Sequence, residues 1–203
     1  MVGMQIFTSD QLLIWGNLDL PMMDLTEDWF GNLLAEPCKF TLLKDPEFLW
    51  FISVFSHSAN IHPAASPGIF TPELWKYDVA ELFLANPNTE KYLEFNLTSN
   101  GAWWASEFSS IRNPSAHQPD FTTHIRPHQD LAKTHHSVVG LQIPLNFLKK
   151  EIDFGVTTAA NITVICDSPS QSYLSASKLP GVQPNFHQPA HFPVISFTPL
   201  LSG

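Results

Sequence analysis

The stretch KYLEFNL (Lys91–Leu97) sets Leu93, Phe95 and Leu97 against Tyr92, Glu94 and Asn96. A strict period of two puts these sets on opposite faces of an extended chain, which a helix of 3.6 residues per turn cannot do. Just upstream, DVAELFL (Asp78–Leu84) is apolar on both sets of positions except for Glu81, as in a strand buried on both sides. ANPNTEK lies between them and is rich in turn residues, so the two form an antiparallel hairpin. Ser99–Gly101 then turns the chain into AWWASEF (Ala102–Phe108), a third strand of a meander.

Further short extended runs flank this meander. FTLLK (Phe40–Lys44) and LWFISVFS (Leu49–Ser56) sit either side of DPE, a tight turn. SVVGLQIPL (Ser137–Leu145), TTAANITVIC (Thr157–Cys166), SYLSAS (Ser172–Ser177) and FPVISF (Phe192–Phe197) complete the series. Only PLNFLKKEI (Pro144–Ile152), with proline near its start, predicts a helix. Many short strands with frequent turn signals specify an all-β fold, an antiparallel sandwich with one short helix. No repeat or linker divides the chain, so residues 1–203 are expected to form a single domain. The long stretches His57–Glu73, Ile111–Asp120 and Lys178–Pro193 are irregular, and loops on a rigid sandwich are where binding groups sit.

Charged residues make up only 14% of the chain, against about 25% in ordinary soluble domains. The net charge is −9 and no Lys/Arg cluster occurs, which argues against nucleic acid and anionic membrane surfaces as partners. The N-terminal MVGMQIFTSDQLLIWG has no basic n-region or cleavage site, so no signal peptide and a cytoplasmic location are expected. Cys38 and Cys166 then read as free buried thiols, and the sequons at Asn96 and Asn161 as chance matches.

No GxSxG, HExxH, phosphate-cradling glycine loop or paired CxxC occurs, so the sequence offers no positive case for an enzyme. Three histidine pairs, His124/His128, His187/His191 and His135/His136, have spacings a metal could use. Nine histidines produce such pairs readily by chance, and surface or hydrogen-bonded roles outweigh a metal site. Trp75, Trp103 and Trp104 carry more weight, because flat C–H faces of sugars stack on indole rings. Trp103 and Trp104 point to opposite faces if extended, so at most one enters the core. Glu81 shares a face with Val79 and Phe83, and a carboxylate there needs a partner such as a hydroxyl, an amide or Arg112.

The stretch LWKYDVAELFL followed by KYLEFNLTSNGAWWASEF resembles the central hairpin of family 9 carbohydrate-binding modules and of the wider DOMON-like superfamily. Those domains carry W-x-x-D-x-x-E-x-F, then a strand of the Y-x-E-F kind and a glycine turn. SVVGLQIPLNFL and NFHQPAHFPVISF resemble their later segments, so the family-like core runs from about residue 40 to 200. Stand-alone DOMON-like proteins of bacterial type share the LW…E-F and PDFHxP patterns, with Asn185 here in place of the Asp. The resemblance implies a DOMON-like, jelly-roll or immunoglobulin-like sandwich. It also implies a non-catalytic module that binds a carbohydrate or similar small polar ligand. Trp75 matches the first of two clamping tryptophans and Glu81 the hydrogen-bonding acid. The second clamp falls near Phe186, beside His187, and Glu94 stands where the family has Arg. The ligand-binding set implied is Trp75, Glu81, Glu94, Asn185, Phe186 and His187. Some relatives hold calcium, and some hold haem between Met and His; here Met1, Met4, Met22 and Met23 all precede the core. No cofactor is expected; a haem module or a ligand-free interaction domain is the alternative.

Overall fold

The computed structural model describes residues 3–16, 20–55, 59–131 and 137–200. Thirteen strands among them form two facing sheets. The first sheet runs in the order β13 (Ile195–Pro199), β1 (Met4–Thr8), β3 (Leu33–Lys44), β4 (Phe48–Phe55), β10 (Ser137–Pro144) and β9 (Arg126–Leu131), with β2 (Met23–Glu27) also paired to β3. The second runs β12 (Ser172–Ser175), β11 (Ala159–Cys166), β5 (Val79–Ala85), β6 (Tyr92–Leu97), β7 (Trp103–Ser110) and β8 (Asn113–Pro114). All pairings are antiparallel except those of β1, which runs parallel to both β13 and β3. The all-β sandwich read from the sequence is the fold observed, and α2 (Leu145–Ile152) is the helix anticipated after Pro144.

The meander is the centre of the second sheet. Ala80, Leu82 and Leu84 of β5 and Leu93, Phe95 and Leu97 of β6 point inward, against Leu42, Phe51, Val139 and Leu141 of the first sheet. The alternate residues of these strands are buried as well. Val79, Phe83, Tyr92 and Phe108 pack beneath a third layer formed by Leu179, Phe186 and Phe192 of the closing segment. The alternation in Lys91–Leu97 therefore separates two buried environments rather than core from solvent. On the first sheet, Leu43, Trp50 and Ile52 face outward and are covered by Leu13, Trp15 and Leu20.

Three segments depart from the sequence expectation. β3 starts at Leu33 rather than Phe40, because its first half pairs with β2. Pro37 fits there because the register shifts between Leu25 and Glu27, and a bulge tolerates a missing N–H. Residues 121–131, for which the sequence predicts no element, hold α1 (Phe121–His124) and the edge strand β9. Asp120 starts that turn by accepting a hydrogen bond from the Thr123 amide at 3.3 Å, and Pro127 is tolerated because β9 has an unpaired edge. Residues 189–191 form a 3-10 turn that delays β13 to Ile195. Cys38 and Cys166, one from each sheet, are buried free thiols.

The DPE turn between β3 and β4 is built on one buried side chain. Asp45 Oδ1 accepts from the amides of Glu47 and Phe48 at 2.8 and 2.7 Å, and Oδ2 from Trp50 Nε1 at 2.9 Å and the Leu13 amide at 3.2 Å. The carboxylate thus fixes the turn and pins the N-terminal cover to the sheet. Asp45→Ala leaves these donors unpaired, and chemical denaturation should show a loss of at least about 3 kcal/mol. A loss below about 1 kcal/mol would show that water replaces the carboxylate at little cost.

Candidate functional site

Strand register writes the chemistry of the outer face. Thr163, Glu81, Asn96 and Trp104 lie directly opposite one another across β11, β5, β6 and β7. The next row along is Asn161, Phe83, Glu94 and Ser106. Glu81 and Glu94 are therefore diagonal neighbours on one face, close enough to feel each other's charge. The closing segment covers part of this face and leaves a cavity of about 720 Å³ over the rest. Trp75, Glu81, Glu94, Asn185, Phe186 and His187 all line it.

Each group is positioned by local structure. Trp75 sits on a 3-10 turn, Leu74–Lys76, anchored by fully buried Leu74 and entered through Glu73 at φ 65°. Its ring leans on Trp104, with centroids 5.1 Å apart and planes at 59°. Trp103, on the opposite face of β7, is in the core as alternation requires. Asp78 of the W-x-x-D pattern is structural: its carboxylate accepts from the Asn60 and Ser168 amides, each at 2.9 Å. At the other wall, Asn185 Oδ1 accepts from the His187 amide at 3.3 Å, and Gln188 Nε2 ties back to the carbonyls of Asn185 and Pro180 at 2.7 and 2.8 Å. Phe186 is only 7% exposed and packs on Trp29 and Tyr173 with centroids 6.0 and 6.1 Å away. The aromatic partner of Trp75 is thus half-buried Trp104, while Phe186 forms a buried wall.

Arg112 enters from the turn between β7 and β8, in left-handed conformation at φ 56°. Its Nη2 donates to Asn185 Oδ1 at 2.9 Å, and its amide donates to the Tyr92 hydroxyl at 3.1 Å. That hydroxyl meets His187 Nδ1 at 2.7 Å. With the Arg112 amide on one lone pair, the hydroxyl has its own proton to give to Nδ1, and in that arrangement the His187 proton sits on Nε2. His187 Nε2 lies 3.8 Å from Glu94 Oε2.

Burial dominates the electrostatics. It pushes the Glu81 carboxyl up to about 7, against the pull of a 2.7 Å hydrogen bond from Thr163 and of the Arg112 charge. Burial and the neighbouring Glu81 charge hold Glu94 well above the ordinary carboxyl range. Burial, then the Arg112 charge, lowers His187 to about 4. Glu94 Oε2 is enclosed yet has no hydrogen-bond partner.

Among the described residues the histidine pairs do not build a metal site. His124 ends α1, His128 stacks on Trp15 on the far sheet, and His187 and His191 fall in different settings. His135 and His136 lie outside the described residues. Among those residues no group of three or more His, Cys, Asp or Glu is gathered for a cation such as calcium. Haem ligation finds no pair of axial ligands there either: among the described residues the cavity lining holds one histidine, His187, and no methionine, so neither Met/His nor bis-His ligation is available.

No family model matches this chain, and no curated protein matches it in sequence. Solved structures do match in shape. A Bacteroides uniformis protein described as a candidate carbohydrate-binding protein superposes with a TM-score of 0.66 at 13% identity, over 97% of this chain and 100% of that one. A family 9 carbohydrate-binding module from Caldicellulosiruptor kristjanssonii in complex with glucose gives 0.62 at 13% identity, over 98% and 97%. Another such module from that organism, in complex with cellotriose, gives 0.58 at 12%, over 96% and 93%. At these identities the likeness shows a shared β-sandwich fold and no more.

The opposed shifts predict a pH signature. From pH 4.5 to 7 the folded chain keeps a Glu81 proton that the unfolded chain has released, so that contribution to stability falls as pH rises. From pH 4 to 6.5 the unfolded chain takes up a His187 proton that the folded chain excludes, so that contribution rises with pH. Urea unfolding at stepped pH should show wild type losing about 3 kcal/mol relative to Glu81→Gln across the first window. Relative to His187→Gln it should gain across the second. A difference that does not change with pH, in either series, contradicts burial of that group.

Proposed function

We propose that this chain is a non-catalytic module that binds a carbohydrate, or a similar small polar ligand, in the cavity over β5, β6 and β7. The observation that carries the reading is the Trp75–Trp104 pair beside a row of buried polar groups, in one cavity of about 720 Å³. That volume lies within the roughly 300–1,000 Å³ usual for small-ligand sites. The solved neighbours support it, since one is described as a candidate carbohydrate-binding protein and two are modules in complex with glucose or cellotriose. The DOMON-like kinship suggested by the hairpin pattern belongs to the same reading.

In this assignment Trp75, with Trp104 beside it, stacks on the apolar face of a sugar ring. Phe186 and Tyr173 close the apolar wall, and Glu81, Glu94, Arg112, Asn185 and His187 take the hydroxyls. The two carboxyls could suggest glycoside hydrolysis, which places a pair on either side of the scissile bond. Here both project from one sheet face, as diagonal neighbours, and both are pushed toward the protonated form. That arrangement holds a ligand and supplies no attacking group on its opposite side.

Calorimetric titration with glucose, cello-oligosaccharides and a broad glycan library tests the proposal. Trp75→Ala should weaken the best ligand about tenfold, roughly 1.4 kcal/mol, with the melting temperature unchanged. Folded protein that binds nothing in the library would remove the reading.

A further inference from the structure

We propose that the preferred sugar carries a free amine, seated with its ammonium nitrogen against Glu94 and within the field of Glu81. This rests on the carbohydrate reading above and narrows it to a substrate class. The first observation is the charge count in the cavity. Two carboxyls, Glu81 and Glu94, face a single guanidinium, Arg112. Arg112 is committed to Asn185 and forms no ion pair with either acid. Lys76 at the rim is already paired with Glu73 at 2.8 Å. The chain as a whole carries −9, so its field also favours a cation.

The second observation is the unpartnered oxygen. Glu94 is 3% exposed and its Oε2 has no hydrogen bond; the Asn96 amide, two residues on along the same strand face, pulls Glu94 toward the ionised form, but its Nδ2 is unpartnered as well. A buried carboxyl oxygen left open destabilises the fold unless a ligand satisfies it. A sugar hydroxyl can donate one hydrogen bond but brings no charge. An ammonium brings three donors and a positive charge that can take the place of the Glu94 proton, and indole faces such as those of Trp75 and Trp104 attract it further. A uronate brings a further acceptor and no donor to that oxygen, and the one guanidinium is already held by Asn185.

The groups around Glu94 are Glu81 from β5, Tyr92 and the Asn96 amide from its own strand, Arg112 from the β7–β8 turn and His187 from the closing segment. None supplies a mobile cation, so the empty cavity keeps the Glu94 proton. An arriving ammonium favours the ionised carboxylate, and that proton leaves to the buffer. Binding of the amino sugar is therefore coupled to proton release.

Calorimetry on the full chain at neutral pH with four probes decides the matter: cellobiose, the glucosamine dimer, the N-acetylglucosamine dimer and glucuronate. The glucosamine dimer should bind at least about tenfold tighter than cellobiose, about 1.4 kcal/mol. Its heat should vary with the ionisation enthalpy of the buffer. Glu94→Gln, which mimics the protonated acid in shape, should abolish that tenfold ratio. Equal or tighter binding of cellobiose, the acetylated dimer or glucuronate overturns the amine while leaving the carbohydrate reading in place. No binding by any probe or by the wider library removes both.

Discussion

The outer face of β5 and β6 carries too much apolar surface to meet water and too many polar groups to be simply buried. Phe83, Tyr92, Val79 and Phe108 require cover, and Glu81, Glu94, Asn96 and Asn161 stand among them. The closing segment resolves the conflict by covering only part of the face. Phe186 and Phe192 seal the apolar part, while the chain around Asn185 stops short of Trp75 and Trp104 and leaves the cavity. The segment is stitched down where it crosses to the other sheet. The Ala160 amide donates to the Pro193 carbonyl at 3.0 Å and the Ile195 amide to the Thr158 carbonyl at 2.9 Å, just before β13 joins β1. Because one segment both closes the cavity and ties the two sheets, the site is coupled to the stability of the sandwich.

Much of this was legible because alternation is a local signal. Leu93, Phe95 and Leu97 against Tyr92, Glu94 and Asn96 set the two faces of β6, and the Trp103/Trp104 pair sorted itself by the same rule. The position of Glu81 beside Val79 and Phe83 marked the face that matters. Other features were illegible for physical reasons. A strand such as Met4–Thr8 is stabilised by parallel neighbours drawn from opposite ends of the chain, and no local pattern encodes that pairing. Tyr92 and Thr163 read as ordinary strand residues, since nothing in sequence shows that one will meet His187 and the other Glu81. The pairing of Trp75 with Trp104 also depends on a turn geometry, that of Glu73, which composition does not announce.

Two non-glycine residues at positive φ flank the cavity, Glu73 before Trp75 and Arg112 itself. Such conformations cost of order 1 kcal/mol or more and persist where surrounding contacts over-determine them. At Glu73 the restraints are the Lys76 ion pair and buried Leu74. At Arg112 they are the Tyr92 hydroxyl on its amide and Asn185 on its guanidinium. The same two contacts bring the arginine over the acids and fix the orientation of His187 through Tyr92. Strain, hydrogen bonding and charge placement at this turn are one arrangement, and relaxing the turn would loosen all three.

Burial acts on the acids and on the histidine in the same sense, since each prefers its neutral form in the empty cavity. Were Glu94 ionised and His187 protonated, the two would form an ion pair across 3.8 Å that a ligand would have to break. Neutral groups leave it open, with hydrogen-bonding capacity unspent at Glu94 Oε2. A cavity of this kind is ready for a polar ligand without first breaking internal ion pairs. The cost is borne by the fold, as destabilised carboxyls and an unmet acceptor, and a ligand that returns charge and donors to Glu94 recovers it. The choice among neutral, anionic and cationic sugars therefore turns on which of them best compensates the two acids that the sheet register forces together.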